Sequence, residues 1–185
     1  MNQPPDMSVA LQSGTAEKVE TESLTRLNEL SSRLSRIGEL NEGLREILST
    51  VVEFLGAGKG NIQLLDRERG VLIIEVQYGF DRDFLDTFKQ VSSVDESACG
   101  RALRLRRFIL IEDTETDRAY APFRAAARAA GYRAVITAPI MGGDRLPMGM
   151  ISAHFPSPHR ITEPEMRVLN LYVRRAGEFI QRFKP

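Results

Sequence analysis

Hydrophobic residues near both ends of the chain recur every three or four positions, which is the spacing of one face of an α-helix. The first such set comprises Leu24, Leu27, Leu30, Leu34 and Ile37. Charged and polar residues fill the positions between them. A stripe of this kind predicts an amphipathic helix that buries one face. We place this N-terminal helix at residues 20–38.

Two further stripes predict two more helices. After Gly38, Asn41 can cap a helix at its N-terminus, and Gly56 follows its last apolar residue. The apolar positions of this helix are Leu44, Ile47, Leu48, Val51, Val52 and Leu55. Near the C-terminus, Thr162 and Glu165 have the spacing of a capping box. They open a helix that we place at residues 162–183, with apolar positions Met166, Leu169, Tyr172, Val173, Ala176, Phe179, Ile180 and Phe183.

Alternating apolar and polar residues predict β-strands in the middle of the chain. GNIQLLD and RERGVLIIEVQYG indicate two strands of a hairpin, and YRAVITAPI and LPMGMISAHF indicate a second hairpin. RFILIED, residues 107–113, predicts a single strand. Short helices are predicted after Asp81, at Cys99 and from Pro122.

This order of elements predicts an α+β domain built on a central antiparallel sheet of five to six strands. Residues 1–19 contain few large apolar side chains, so we expect a flexible tail. Residues 20–185 then form a single domain. The apolar faces of the strands belong against the amphipathic terminal helices.

Three of the strands have one apolar face and one mixed face, because side chains alternate along a strand. The mixed faces gather amide, hydroxyl and imidazole groups beside apolar residues. Their members are Asn61, Gln63, Val135, Thr137, Met148, Met150, Ser152 and His154. An apolar surface with a few polar groups is typical of a small-ligand site. The alternative is a face that is partly solvated or packed by the short helices.

Charge and hydropathy exclude several classes of function. Lys plus Arg and Asp plus Glu both number 25, so no overall field favours nucleic acid or anionic lipid. The basic cluster Arg101, Arg104, Arg106 and Arg107 lacks interleaved aromatic residues, and we interpret it as a solvated face. No apolar run is long enough for a membrane span, and the first residues do not form a secretory signal. We expect a cytoplasmic protein that binds neither nucleic acid nor membrane.

Several segments, in this order, resemble a GAF domain of the kind found in bacterial sensory proteins alongside histidine kinases. They include ILSTVVEFLGAGKGNIQLLDRERGVLIIEVQYGFDRDFL, SACGRAL, ILIEDTETD, AGYRAVITAPIM, MGMISAHF and PHRITEPEMRVLNLYVRRAGEFI. The resemblance implies a PAS-like fold with helices from both termini on one face of the sheet and a small-molecule pocket on the other. It also implies terminal helices that pair in a dimer and pass on a signal.

Cys99 is the only cysteine of the chain, and it lies where a helix is predicted to begin. A helix N-terminus lowers the pKa of a thiol, whereas the neighbouring Asp95 and Glu96 oppose this. The segment around Cys99 also resembles free methionine-(R)-sulfoxide reductases, a GAF subgroup whose chemistry needs a second, resolving cysteine. This chain has none. We therefore expect Cys99 to be a pocket wall residue, with a redox-responsive thiol as the alternative.

Other ligands of related domains find little support in these residues. Bilin attachment in one group needs a Cys-His pair on a pocket helix, and the corresponding segment PFRAAARAAG has neither residue. A haem ligand would have to be His154 or His159, and we expect both to be ordinary histidines. The pattern of cyclic-nucleotide-binding relatives is absent. We therefore name no cofactor and no metal.

The sequence favours a non-enzymatic sensory domain of a two-component or similar system. We expect it to bind a small molecule or a partner. The candidate ligand-binding residues are Asn61, Gln63, Cys99, Val135, Thr137, Met150, Ser152 and His154. We also expect a homodimer through the terminal helices, and a histidine kinase or another signalling output domain as partner. The alternatives are a reductase-like enzyme using Cys99, a ligand-free dimerisation module, and terminal helices that only cover the sheet.

Overall fold

The computed structural model describes Glu22 and residues 24–183. We number as α1 the helix over residues 24–34. The elements that follow are α2 (Leu40–Leu55), β1 (Lys59–Asp66), β2 (Val71–Tyr78), α3 (Arg82–Thr87) and β3 (Val91–Ser92). The remainder are α4 (Ala98–Leu105), β4 (Ile109–Ile111), a 3₁₀ turn (Ala121–Phe123), α5 (Arg124–Ala129), β5 (Ala134–Met141), β6 (Pro147–Phe155) and α6 (Glu163–Gln181). The predicted tail and the predicted start of the N-terminal helix lie outside the described residues.

The strands form one six-stranded sheet in the order β3-β2-β1-β6-β5-β4. Every neighbouring pair is antiparallel. The predicted hairpins are the β1–β2 and β5–β6 pairs, and β1 pairs with β6 to join them at the centre. The prediction of an α+β domain on an antiparallel sheet of five to six strands is confirmed.

Side chains cap two of the helices at polar residues that the sequence analysis identified. Asp81 accepts a hydrogen bond from the backbone N–H of Phe84 at 3.0 Å at the start of α3. Thr162 and Glu165 form the predicted capping box at the start of α6. These bonds satisfy backbone donors that have no partner within the helix. Among the described helices, none is both long and apolar enough to cross a membrane.

One face of the sheet is covered by α1, α2 and α6. Most of the apolar positions that predicted these helices form a single buried cluster with strand residues such as Ile62, Ile136 and Ile151, whereas Leu24 stays exposed. Close packing of α2 against α6 depends on Gly43, where an added Cβ would lie 2.0 Å from a ring carbon of Phe179. Only glycine leaves room for that ring.

The end of α6 is tied directly to the end of α1. Arg182 donates hydrogen bonds to the backbone oxygens of Leu34 at 2.9 Å and Ile37 at 3.3 Å. Carbonyls at a helix C-terminus lack intrahelical partners and carry partial negative charge, so a guanidinium stabilises them. The first and last described helices therefore contact each other as well as the sheet.

The opposite face of the sheet is covered by α3, α4, the 3₁₀ turn and α5. A second buried cluster forms here around aromatic residues and includes Phe84, Tyr132, Val135 and Met150. Val135 and Met150 come from β5 and β6, whose alternate side chains, such as Ile136 and Ile151, belong to the helical cluster. The sheet therefore separates two cores, and the mixed strand faces lie in the second one.

Two local predictions are wrong. α2 is capped by Glu39 without a side-chain hydrogen bond, so Asn41 lies in the first turn and is not the cap. The helix starts earlier because Leu40 packs against the helical cluster. Met148 belongs to the helical cluster and not to the mixed face. The register of β5 and β6 shifts between Ile140 and Met141, and such an irregularity changes the face of the neighbouring side chain.

Candidate functional site

The floor of the candidate site is the centre of the sheet. Asn61 of β1 pairs with Ser152 of β6, which in turn pairs with Thr137 of β5. Gln63 and His154 lie two residues further along their strands, and so they project to the same side. All five are buried, with at most 5% of each residue exposed. The strand alternation therefore gathers five polar side chains in a dry environment.

The wall above this floor begins with α4. Ser97 caps the helix by accepting a hydrogen bond from the backbone N–H of Gly100 at 3.2 Å, which places Cys99 in the first turn. A Cβ at Gly100 would lie 2.3 Å from the backbone oxygen of Asp95, so glycine lets this helix start sit close to the preceding loop. The result aims Cys99 at the sheet.

Cys99 contacts two hydroxyl groups of the floor. Its Sγ lies 3.3 Å from Ser152 Oγ and 3.9 Å from Thr137 Oγ1, and the two hydroxyls are 2.8 Å apart. Burial raises the pKa of the Cys99 thiol, and this outweighs the opposite effect of the hydrogen bonds from Ser152 and Thr137. Because only the thiolate is a strong nucleophile, Cys99 is held in its less reactive form.

Aromatic rings form the second wall. Phe80 and Phe84 are stacked with centroids 3.6 Å apart, and Phe88 lies 4.7 Å from Phe84. Tyr132 meets Phe80 edge to face at 6.4 Å. The Tyr120 and Tyr132 hydroxyls are 2.8 Å apart, and burial is the main reason that both have a raised pKa. Both tyrosines are therefore neutral.

His154 lies between this aromatic wall and the floor. Its ring meets Phe80 at 4.9 Å and Tyr132 at 4.7 Å, close to perpendicular in each case. Burial, together with the positive charge of Lys59, lowers the pKa of His154 to about 3. Lys59 itself donates a hydrogen bond to the backbone oxygen of Gly79. His154 is therefore a neutral imidazole at physiological pH.

These walls enclose a small cavity. Its lining residues are Asn61, Gln63, Phe84, Phe88, Ser97, Ala98, Cys99, Tyr120, Tyr132, Val135 and His154. The volume is about 20 Å³, which is close to the minimum that holds one water molecule. The cavity is therefore far smaller than the several hundred Å³ of typical ligand pockets.

Three buried polar atoms on the lining have no hydrogen-bond partner within the described part of the chain. They are Asn61 Oδ1, Gln63 Oε1 and His154 Nδ1. An unpaired polar atom in the interior costs about 1–3 kcal/mol, so most buried polar groups in folded proteins are paired. The concentration of three such atoms around one cavity is the most unusual feature of this site.

The candidate residues identified from the sequence come together here. Asn61, Gln63, Cys99, Val135 and His154 line the cavity, as the preceding list gives them. Thr137 and Ser152 lie beneath the cavity, where their hydroxyl groups contact the Cys99 thiol. Met150 is fully buried in the second core cluster. The sequence analysis missed six lining residues: Phe84, Phe88, Ser97, Ala98, Tyr120 and Tyr132. The four-residue spacing of Phe80, Phe84 and Phe88 was the available signal.

The first two arginines of the basic cluster in and after α4 are neutralised by carboxylates and so are not free to bind an anion. Arg101 pairs with Asp117 at 3.1 Å, and Arg104 pairs with Glu96 at 3.0 Å. Arg106 and Arg107 are exposed. Within the described ranges, there is also no group of three or more His, Cys, Asp or Glu residues that could hold a metal ion.

A family model of the GAF domain matches residues 39–181. Because this match covers most of the chain, the protein belongs to the GAF domain family. A comparison with curated proteins finds no match.

Solved structures of several proteins, GAF domains among them, share the fold. The GAF domain of the Acinetobacter phosphoenolpyruvate-protein phosphotransferase has a TM-score of 0.72 and 14% identity, covering 87% of this chain and 94% of that one. A domain of a two-component sensor histidine kinase from Sinorhizobium meliloti has a TM-score of 0.65 and 17% identity, covering 79% and 93%. The free methionine-R-sulfoxide reductase of Neisseria meningitidis, in complex with its substrate, has a TM-score of 0.70 and 14% identity, covering 89% and 93%. At these identities the likeness shows the fold alone.

Proposed function

We propose that this protein is a sensory GAF domain that binds a small molecule at the cavity between the sheet and α4. The observation that carries this proposal is the set of three unpaired polar atoms, Asn61 Oδ1, Gln63 Oε1 and His154 Nδ1, around one cavity. A ligand that pairs with them removes their energetic penalty, so binding is favoured by atoms already in place. The aromatic wall supplies apolar contact area beside them.

The strands that form the floor also provide a route to the terminal helices. On β1, Asn61 and Gln63 face the cavity while Ile62 between them belongs to the helical cluster. On β6, Ala153 alternates in the same way with Ser152 and His154. A ligand that shifts these strands therefore shifts the packing surface of α2 and α6, because tightly packed cores transmit displacement.

The sensor is proposed to act as a cytoplasmic homodimer whose terminal helices lead to a histidine kinase or another output domain. Leu30 and Leu34 of α1 are buried within the chain, so a dimer seam has to use the outer face of the terminal helices. Leu24 is 48% exposed and is the most exposed member of the α1 stripe, whereas Leu27 and Ile37 are partly buried. The likeness to the sensor histidine kinase domain from Sinorhizobium meliloti supports this choice of partner.

Ligand binding is tested with the low-molecular-weight metabolite fraction of bacterial cells. Added to the purified protein, this fraction should raise the thermal unfolding midpoint, because a ligand that binds only the folded state stabilises it. The metabolite fraction should not raise the unfolding midpoint of the Asn61→Leu/Gln63→Leu double variant. The Asn170→Leu/Gln90→Leu pair makes the same chemical changes at exposed positions and should keep the rise. An equal rise in both double variants would show that the cavity is not the site.

Dimerisation is tested by sedimentation velocity. Leu24→Glu should weaken the dimer by placing a charge in an apolar seam. Leu105→Glu is the matched control, because Leu105 is 45% exposed on α4, on the other side of the sheet. A monomeric wild type would remove the dimer from the proposal, and a dimer untouched by Leu24→Glu would move the seam elsewhere.

A binding role is favoured over a reductase-like activity. Cys99 is the single cysteine, and burial raises the pKa of its thiol. A free methionine sulfoxide reduction that forms a sulfenic acid on Cys99 would lack a resolving thiol in the same chain. We expect no turnover of free methionine sulfoxide with a thiol reductant. Turnover that disappears in Cys99→Ser would establish the enzyme instead, and a dimer without any ligand would favour a dimerisation module.

A further inference from the structure

The two unpaired amide oxygens of the cavity are placed to act together. Asn61 and Gln63 are 2% and 1% exposed, and they lie two positions apart on β1, so their side chains leave the strand in the same direction. Each side chain is a carboxamide, which offers an acceptor oxygen beside a donor NH₂. The natural complement of a carboxamide is a ligand edge that carries an N–H donor next to a carbonyl acceptor. This pairing holds whichever way each amide is turned.

The lining argues against a charged ligand. Among the described residues that line the cavity, none is Lys, Arg, Asp or Glu. The nearby Lys59 is engaged with the backbone oxygen of Gly79 and lies 5.6 Å from the centroid of the Phe80 ring. A carboxylate or phosphate entering this cavity would lose its water without gaining a counter-charge, and an ammonium group would meet the field of Lys59. An uncharged ligand avoids both penalties.

The walls favour a flat ring of modest size. Phe84, Phe88 and Tyr132 present aromatic surface to the cavity, and planar groups pack well against such surface. A volume of about 20 Å³ requires the wall to move before a ring can enter. The six-residue helix α3, which carries Phe84 and ends next to Phe88, is shorter than the eight-residue α4 of the other wall.

Resting on the proposed function, we propose that the ligand of this domain is a small, uncharged, planar lactam or imide ring that hydrogen-bonds to Asn61 and Gln63. Phe84 and Phe88 move aside to admit it. Nucleobase-like and related nitrogen heterocycles belong to this chemical class, whereas amino acids, carboxylates and phosphorylated compounds do not.

The test uses three compounds that share one ring and differ in their N–H donors or in their charge. Uracil carries two N–H donors and no charge, 1,3-dimethyluracil lacks both donors, and orotate adds a carboxylate to the same ring. Thermal shift and calorimetric titration of the purified 185-residue chain should detect uracil binding in the millimolar range. The dimethyl compound and orotate should each bind at least about tenfold more weakly, which is the loss that one or two hydrogen bonds or an uncompensated charge causes.

Variants assign the binding to the two amides. Asn61→Leu and Gln63→Leu should each weaken uracil binding by about tenfold. Asn170→Leu and Gln90→Leu, at exposed positions, should leave it unchanged. The comparison of the three compounds on the wild-type protein needs no variant, so the proposal is decided even where a buried substitution fails to fold.

The outcomes separate this inference from the proposed function. Equal binding of uracil and dimethyluracil, or tighter binding of orotate, overturns the inference. A protein that ignores all three compounds but is stabilised by the metabolite fraction also overturns the inference and leaves the sensory function standing. A protein that responds to neither the compounds nor the metabolite fraction overturns both.

Discussion

Acid should destabilise this protein through a single buried histidine. The folded-state pKa of His154 is lowered from 6.5 to about 3 because the imidazole is buried and lies near Lys59. The unfolded chain then binds a proton more readily than the folded protein between these two values. The stability that neutral His154 contributes is complete above pH 6.5 and is lost progressively as the pH falls towards 3.

The magnitude follows from the size of the shift. Each pKa unit corresponds to about 1.4 kcal/mol, so the full effect is about 5 kcal/mol, an order-of-magnitude figure. Between pH 8 and pH 5 the expected loss is about 2 kcal/mol. A domain with an ordinary unfolding free energy of about 5–15 kcal/mol would lose a substantial part of its stability over that range.

Urea unfolding followed by far-ultraviolet circular dichroism at pH 5, 6, 7 and 8 measures this loss. His154→Phe keeps a ring in the aromatic wall but cannot bind a proton, so its stability should vary much less across the series. His159→Phe is the control: it removes the other of the two histidines, whose ring stacks on Phe155 at 3.8 Å. This variant should still lose most of the unfolding free energy that the wild type loses between pH 8 and pH 5. A wild-type stability that is flat from pH 8 to pH 5, or a loss that persists in His154→Phe, would refute the reasoning.

Three further predictions concern packing and reactivity. Phe84→Ala should cost about 3–5 kcal/mol of unfolding free energy in urea, because the ring is buried in the aromatic wall, and a cost below about 1 kcal/mol would contradict this packing. Gly43→Val should cost about 1–3 kcal/mol by colliding with Phe179, while Gly38→Val, with no atom within 4 Å of an added Cβ, should be far milder. Cys99 should react with a disulfide reagent at least about tenfold more slowly in the folded than in the urea-unfolded protein, and equal rates would show an activated thiol.

The fold could be predicted well from the sequence because the spacing of apolar residues shows which segments are helices and which are strands. The apolar stripes around Leu44 and Leu169 predicted one buried face for each helix, and both faces lie in the helical cluster. The alternation around Ile62 correctly separated the two faces of β1. Periodicity fixes which side of an element is buried, since that property follows from local geometry.

Features that depend on contacts between distant segments could not be predicted in the same way. The face of Met148 depends on a register shift between two strands, and the start of α2 depends on where Leu40 packs. The pKa of Cys99 depends on how deeply α4 presses the thiol against Ser152 and Thr137. Burial raises this pKa by more than the hydrogen bonds from those two hydroxyl groups lower it, and burial of this kind is not visible in the sequence.

The candidate site was predicted in part for the same reason. Strand alternation found Asn61, Gln63 and His154, because each belongs to a regular element of the floor. Tyr120 and Tyr132 come from segments that flank the short 3₁₀ turn and α5, and no periodic pattern marks them. The cavity volume depends on how all these side chains interlock, which a linear pattern does not encode.

The most direct test of the account is a crystal structure of the protein purified from cells in its native form. The account predicts continuous density larger than a water molecule within about 3 Å of Asn61 Oδ1 and Gln63 Oε1, with Phe84 displaced to make room. Density for isolated waters that satisfy both amides, with Phe84 in place and the metabolite fraction without effect, would contradict the claim that this cavity is a ligand site.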